Sequence, residues 1–186
     1  MVDDRELMAR VRAGEHAALE ALFSRWEAPI FEFFCRLGCP LWAVGDLTEE
    51  VLVLVYRRSD RYDASRPLSP WLFGIARLVW RDYRRRRGRE VGRTVPVEDV
   101  EGFPGAADPA GVAEGHQAVE QLRRAVSDLP EEQQMTFLLR HFHGLSYEEV
   151  AQVLGIPLGT VKWRLHDTMQ RLKRSLAAHR KEGRAW

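Results

Sequence analysis

Apolar residues recur every three or four positions over most of the chain, which is the spacing of one face of an α-helix. The clearest such stripe covers residues 19–37 and ends where Gly38 and Pro40 follow, a usual stop signal for a helix. The same spacing predicts further helices over residues 46–58 and from Pro70 into a cluster of arginines. Because strand signals are weak throughout, we predict an all-α fold.

The helical periodicity is interrupted in the middle of the chain. Residues 88–115 contain six of the 14 glycines and three of the nine prolines. A segment of that composition buries too little apolar surface to offset the entropy lost on ordering, which is typical of a linker. We therefore expect two small helical domains at residues 1–88 and 118–180, a flexible acidic linker at 89–117 and a tail at 181–186.

Composition limits the class of protein. The 186 residues are 45% hydrophobic and 30% charged, which is ordinary for a globular chain and too apolar for a disordered one. No stretch is apolar enough for a membrane span, and the charged N-terminus lacks the apolar core of a secretory signal. Two cysteines are too few for a disulfide framework. We expect a cytoplasmic protein with reduced thiols and no membrane insertion.

The net charge of +1 at first argues against a nucleic-acid binder, but the charges are unevenly distributed. Residues 77–93 hold eight basic and two acidic side chains, and residues 160–186 hold the same numbers. Residues 95–117 hold five acidic side chains and no basic ones. The near-neutral total therefore conceals two basic segments that suit nucleic acid.

The C-terminal part carries a specific pattern. Ser146 and Glu149 have the spacing of a capping box, which begins a helix by satisfying two unpaired backbone N–H groups. Gly155 ends that helix, and Pro157 suits the start of the next one. A short helix, a glycine turn and a longer helix with basic residues predict a helix-turn-helix, whose second helix enters the major groove of DNA.

A rotation of about 100° per residue divides the second helix into faces. The apolar spacing predicts one buried stripe of Val161, Leu165, Met169, Leu172 and Leu176. The outward face carries Gly159, Thr160, Trp163, His166 and Asp167, and the flanks carry Lys162, Arg164 and Arg171. Long basic side chains on the flanks suit phosphates, and residues near the helix N-terminus suit base edges. The alternative is a plain helical hairpin with a solvated charged face.

Six stretches together resemble bacterial sigma factors of the sigma-70 family. Three of the stretches resemble domain four of that family: DLPEEQ (128–133), LSYEEVA (145–151) and GTVKWRLH (159–166). Domain two is similar to EHAALEALF (15–23), GDLTEEV (45–51) and WLFGIAR (71–77). With two domains and a short linker, the chain resembles the extracytoplasmic-function group.

The resemblance implies core RNA polymerase as a partner, bound through the β′ clamp helices and the β flap. The stretch that matches the family's clamp-docking helix carries Asp46, Glu49, Glu50, Val51 and Leu54. An acidic helix start with an apolar flank suits a basic partner helix. Without the family, we would favour the alternative, a core helix whose solvated acidic start complements its own dipole.

The resemblance also implies promoter DNA as a partner. The residues expected to bind and melt the minus-ten element are Tyr62, Arg77, Trp80, Arg81, Tyr83, Arg84 and Arg85. Aromatic faces would stack on unpaired bases, and arginines would hold the separated strand. Trp71 and Phe73 are expected in the core because they continue the apolar stripe. The arginine run is alternatively explained by the preference of cations for helix C-termini.

For the minus-thirty-five element the resemblance points to the helix-turn-helix. The residues expected there are Gly159, Thr160, Lys162, Trp163, Arg164, His166 and Arg171. Leu78, Trp163 and Asp167 depart from the family's usual residues. They favour an alternative function, a sigma-like protein that sequesters an anti-sigma factor or occupies polymerase without reading promoters. A simple helix-turn-helix repressor is a further alternative, but it leaves the first domain unexplained.

No catalytic, phosphate-binding or metal-ligating motif appears along the chain. The two histidines of His141-Phe142-His143 point about 200° apart on a helix and cannot chelate one metal together. Cys35 and Cys39 lack further ligands nearby. We therefore expect no enzyme activity and no cofactor, and an anti-sigma factor is expected from the family alone.

Overall fold

A computed structural model describes residues 2–91 and 121–182 of the chain, with side chains over 2–88 and 121–177. The described residues are helical and contain no strand, which confirms the predicted fold class. The expected linker, apart from its first three residues, and the end of the expected tail lie outside the described residues. None of the described helices is long and apolar enough to cross a bilayer.

Eight helices and one short 3-10 turn make up the described part of the chain. They are α1 (Asp4–Arg12), α2 (His16–Arg36), α3 (Leu41–Arg57), the 3-10 turn (Ser59–Arg61), α4 (Leu68–Val91), α5 (121–127), α6 (Glu131–His141), α7 (Tyr147–Leu154) and α8 (Leu158–Glu182). Helices α1–α4 form one compact unit, and α5, α6, α8 and most of α7 belong to a second.

The first unit is built around an aromatic core. Phe33 and Phe34 of α2 and Phe73 of α4 are buried, and the rings of Phe33 and Phe73 lie 5.3 Å apart. Val44 of α3 and Leu72 of α4 are fully buried in the same unit. This core fixes which faces of α3 and α4 remain exposed.

The helix boundaries differ from the prediction at α3 and α4. Helix α3 begins at Leu41, five residues before the expected start, because Ala43 and Val44 continue its buried stripe back to Pro40. Helix α4 begins at Leu68 and holds Pro70 in its first turn, where a missing N–H costs no hydrogen bond. The predicted stop of α2 is confirmed, since Gly38 has a φ of 75°.

The second unit buries one stripe of α8 against α6. Val161, Leu165 and Leu172 are buried as the periodicity predicts. Met169, which we expected in the same stripe, is 40% exposed, and Thr168 is buried in its place. Seven residues after Val161 complete almost two helical turns, whereas eight residues carry Met169 about 80° around the helix, so Thr168 takes the inward position.

Candidate nucleic-acid interface

The exposed face of α3 is acidic. Asp46, Glu49 and Glu50 are exposed, as the docking prediction requires, and Leu54 is half-buried. Val51 was expected on this surface, but it is completely buried. It lies on the opposite side of the helix, against the core, so the prediction that it contacts a partner is wrong.

A tryptophan that sequence reasoning did not select lies on the acidic face. Trp42 is 71% exposed, and helix geometry places it on the same side as Asp46 and Glu49. The guanidinium carbon of Arg87 lies 5.4 Å from the centre of its ring. The sequence did contain a signal for this position, because Trp42, Asp46 and Glu49 have the spacing of one helix face. That spacing is informative only when α3 is known to begin at Leu41.

An ion pair connects the acidic face of α3 with the arginine run of α4. Arg86 Nη2 lies 3.4 Å from Glu50 Oε2, and both side chains are about half exposed. Such an exposed pair contributes little to stability. It does place the basic end of α4 directly beside the acidic face.

The arginines of α4 form a row on one face of the helix. Arg77, Arg81, Arg84 and Arg85 are spaced by four, three and one, which is the repeat of a single helix face. Arg81, Arg84 and Arg85 are exposed, and Arg77 is half-buried. We call this set the α4 arginine face. It is a cationic surface of the kind that holds a phosphate backbone.

The aromatic residues expected to stack on unpaired bases are buried. Tyr62 is 3% exposed, Trp80 is 2% exposed and Tyr83 is 9% exposed, so the prediction that their rings contact DNA is wrong. Trp80 stacks on Tyr83 at 5.6 Å and lies 6.3 Å from the ring of Phe34. The rings continue the core stripe of α4 and have no free face for a base.

Tyr62 instead organises the segment between the 3-10 turn and α4, residues 62–67, which we call the α3–α4 loop. Its hydroxyl donates a hydrogen bond to the carbonyl of Arg66 at 2.6 Å. Within the same loop, Asp63 Oδ1 accepts hydrogen bonds from the backbone N–H and hydroxyl of Ser65, at 2.9 and 2.7 Å. Trp71, which we expected in the core, is half-buried and lies 5.4 Å from the ring of Tyr62.

The structure confirms the predicted helix-turn-helix in the second unit. Ser146 N–H donates to Glu149 Oε2 at 2.7 Å, and Glu149 N–H donates to the Ser146 hydroxyl at 3.1 Å. Gly155 has a φ of 64°, which is the left-handed conformation expected where α7 ends. Pro157 directly precedes α8.

The outward face of α8 is exposed where DNA would meet it. Trp163 is 61% exposed, Lys162, His166 and Gly159 are exposed, and Thr160 is half-buried. We call these five residues the α8 outward face. Its charge and its indole ring suit contacts with phosphates and with base edges.

Two charged residues of α8 are turned towards α6 instead. The Arg164 side chain is only 14% exposed and pairs with Glu132, so the prediction that it reaches phosphate is wrong. Asp167 accepts hydrogen bonds from Arg171 Nε at 2.8 Å and from Gln133 Nε2 at 2.6 Å. These bonds hold the pKa of Asp167 below its ordinary value, so it stays a carboxylate bound within the protein.

The two free cysteines lie in poorly reactive surroundings. Burial raises the pKa of Cys35 to about 11 and that of Cys39 to about 12. Both thiols therefore remain protonated near neutral pH, where thiols are weak nucleophiles. Among the described residues, no group of three His, Cys, Asp or Glu side chains is placed to hold a metal ion.

Comparison with protein families identifies both units. The family described as Sigma-70 region 2 matches residues 22–90, and the family described as Sigma-70, region 4 matches residues 119–172. The first match includes the acidic face of α3 and the α4 arginine face. The second includes α7, the glycine turn and α8 as far as Leu172.

Curated relatives match the chain over most of its length. The chain is 30% identical to the ECF RNA polymerase sigma-E factor of Escherichia coli over 169 residues, which is 87% of this chain and 88% of the relative. It is 26% identical to the RNA polymerase sigma-H factor of Pseudomonas aeruginosa, over 93% of each chain.

A solved structure shares the helical fold. The sigma factor RpoE of Bartonella quintana, crystallised with the anti-sigma factor NepR, superposes with a TM-score of 0.73 at 25% sequence identity. The superposition covers 85% of this chain and 96% of that one.

Proposed function

This chain belongs to the extracytoplasmic-function group of the sigma-70 family, and we propose that it opens promoters through the surfaces described above. Sigma factors of this family are transcription initiation factors, not enzymes, so the function of the chain is promoter recognition for RNA polymerase. The observation that carries the finer proposal is that each family region presents an exposed basic helix face, one on α4 and one on α8. The domain boundaries at 1–88 and 118–180 belong to the same proposal.

The first unit would bind and melt the minus-ten element. The α4 arginine face would hold the phosphates of the separated strand, and the α3–α4 loop would capture an unpaired base. Since the rings of Tyr62, Trp80 and Tyr83 are buried, Trp71 is the partly exposed aromatic residue beside the loop that remains for a stacking contact. Arg77, Arg81, Arg84 and Arg85 stay within the proposed minus-ten site.

The second unit would bind the minus-thirty-five element in the major groove. The α8 outward face carries the contacts, with Lys162 at phosphate and Trp163 at base edges. Asp167 is held by Arg171 and Gln133, so its charge is compensated within the protein. This supports promoter reading over the alternative function, because Asp167 was one of three departures that favoured the alternative.

The acidic face of α3 would dock on the β′ clamp helices of core RNA polymerase. Asp46, Glu49 and Glu50 supply charge, and Trp42 supplies the kind of exposed ring that dominates protein interfaces. The second unit would bind the β flap. An anti-sigma factor is a further proposed partner, by similarity to the Bartonella quintana protein. We place the protein in the cytoplasm, where polymerase and promoters are.

Run-off transcription tests this function. Core polymerase is mixed with the full chain and a template whose promoter has been selected with the reconstituted holoenzyme. A specific transcript that requires both the chain and the promoter supports promoter reading. Core binding without any promoter-dependent transcript supports the alternative, a protein that occupies polymerase without initiating.

A further inference from the structure

Arg12, the last residue of α1, reaches from its own helix to the start of the α3–α4 loop. Its Nε donates a hydrogen bond to the carbonyl of Ser59 at 2.6 Å, and its Nη2 donates another to the carbonyl of Tyr62. The guanidinium carbon also lies 5.9 Å from the centre of the Tyr62 ring. One side chain therefore binds the first residue of the 3-10 turn and the first residue of the α3–α4 loop.

These bonds connect α1 with the ordered part of the loop. Tyr62 is buried, its hydroxyl holds the carbonyl of Arg66, and Asp63 holds Ser65. Arg12 supplies the bonds from outside the loop that fix where this hydrogen-bonded segment begins. A rigid planar guanidinium suits the task, because it can donate to two carbonyls at once in a fixed geometry.

Arg12 is not needed to end its own helix. The carbonyls of the last turn of α1 accept hydrogen bonds from the backbone N–H groups of Ala13, Gly14 and Glu15. The neighbouring Arg10 pairs with Glu15 and does not reach the loop. The two arginines thus share the last turn of α1, but only Arg12 bonds to the α3–α4 loop.

We propose that Arg12 is a positioning residue for minus-ten recognition, which holds the α3–α4 loop in the conformation that captures an unpaired base. This inference rests on the proposed function of that loop. A loop that is ordered before DNA arrives loses less entropy on binding and keeps its base-contacting groups in one geometry. Arg12 would therefore set discrimination between bases at the minus-ten element without contacting DNA itself.

The test compares Arg12→Ala, Arg12→Lys and Arg10→Ala in transcription with core polymerase. For each protein, the transcript from the selected promoter is divided by the transcript from templates with single-base changes in the minus-ten element. The ratio cancels any difference in folded or active fraction. A merely structural role for Arg12 would lower both transcripts equally and leave the ratio unchanged.

We expect Arg12→Ala to lower this ratio about tenfold, the effect of losing one charge-assisted hydrogen bond network. Arg12→Lys should give a ratio between those of Arg12→Ala and the wild type, because an ammonium cannot donate to both carbonyls in the fixed geometry of a guanidinium. Arg10→Ala should match the wild type, and affinity for a minus-thirty-five duplex should be the same for all four proteins.

An unchanged ratio for both Arg12 variants, with a wild-type protein that initiates at the promoter, would overturn the inference and leave the proposed function intact. An equal fall for Arg10→Ala would also overturn it, because the effect would then belong to α1 in general. If the wild-type protein gives no promoter-dependent transcript, the proposed function fails and the inference fails with it.

Discussion

Trp163 is 61% exposed on the α8 outward face, so its replacement removes a surface contact without opening the core. If the indole contacts base edges, Trp163→Ala changes the preference of the protein for one or two base pairs of the minus-thirty-five element. Each altered preference should amount to about 1–3 kcal/mol, the usual value of a base-specific contact. Binding to a set of single-substitution duplexes measures it.

Met169→Ala provides the control for Trp163, since Met169 is also an exposed apolar residue of α8 but lies six residues, about 9 Å, further from the N-terminus of the helix that would enter the groove. It should leave base preference unchanged. Equal profiles for Trp163→Ala and the wild type would remove Trp163 from the proposed DNA contact.

Lys162 is expected to contact phosphate. Lys162→Ala should weaken DNA binding about equally for all sequences and reduce the slope of log affinity against log salt by about one. Titrations of labelled duplex at several salt concentrations measure both quantities.

Arg164→Ala is the contrasting variant, because the Arg164 guanidinium pairs with Glu132 and is largely buried. Its salt slope should stay that of the wild type. A loss confined to one base pair in Lys162→Ala would contradict the phosphate assignment.

The sequence predicted the exposed arginines of α4 correctly, but it did not predict which aromatic rings of that helix are buried. Trp80 and Tyr83 were expected to stack on bases, although they continue the stripe of Leu72, Ala76 and Val79 at helical spacing. That stripe was a usable signal for burial. The Arg12 bonds to Ser59 and Tyr62 had no such signal, because a side chain that binds backbone carbonyls far along the chain leaves no local pattern.

At the scale of single helices, the capping box of α7 is the clearest local device. Ser146→Ala removes the hydroxyl that accepts from Glu149 N–H and should cost about 1 kcal/mol of local stability. We expect faster hydrogen exchange at the amides of the first turn of α7, measured by mass spectrometry or NMR on the full chain.

Ser127→Ala is the matched control for the capping box. The Ser127 hydroxyl donates to the carbonyl of Arg123 at 2.8 Å within α5 and satisfies no unpaired N–H. Hydrogen exchange at the amides of α7 should be the same in Ser127→Ala as in the wild type. Unchanged exchange in Ser146→Ala would mean that the observed hydrogen bonds do not hold the start of the helix.

The acidic face of α3 is predicted to dock on polymerase. Glu49→Lys reverses one exposed charge in the middle of that face and should weaken binding to core polymerase by about tenfold or more, because like charges across an interface repel. Competition with a labelled sigma factor for core polymerase measures the change.

Glu27→Lys makes the same charge reversal at an exposed position of α2 and serves as the control. Equal core binding by both variants and the wild type would place the docking surface elsewhere on the chain.

Helix type was predictable at this scale, whereas helix starts were not. The β-branched run Val51–Val55 was predicted to be helical, and it lies within α3. The start of α3 was placed at Asp46, from which the apolar positions Leu47, Val51 and Leu54 follow at helical spacing. The helix in fact begins after Pro40, because Ala43 and Val44 are buried and extend that stripe towards the N-terminus.

For the whole molecule, the net charge of +1 is the sum of opposed regions. The exposed basic faces of α4 and α8 lie in separate compact units, and the acidic face of α3 lies beside the first of them. Because each of these two basic faces would bind DNA, we expect the promoters of this protein to contain two separate sequence elements. The division into two helical regions followed from the loss of periodicity between them, and the family resemblance supplied the function of each.

Mapping of transcription start sites after overexpression of the chain in its host tests the central claim most directly. The comparison strain produces the Glu49→Lys variant at the same abundance. We expect a limited set of new start sites. Each should be preceded by one shared element near minus ten and another near minus thirty-five, at nearly constant spacing, and the set should shrink strongly in the variant. No new start sites, or new sites without shared upstream elements, would contradict the assignment of this chain as a promoter-reading sigma factor.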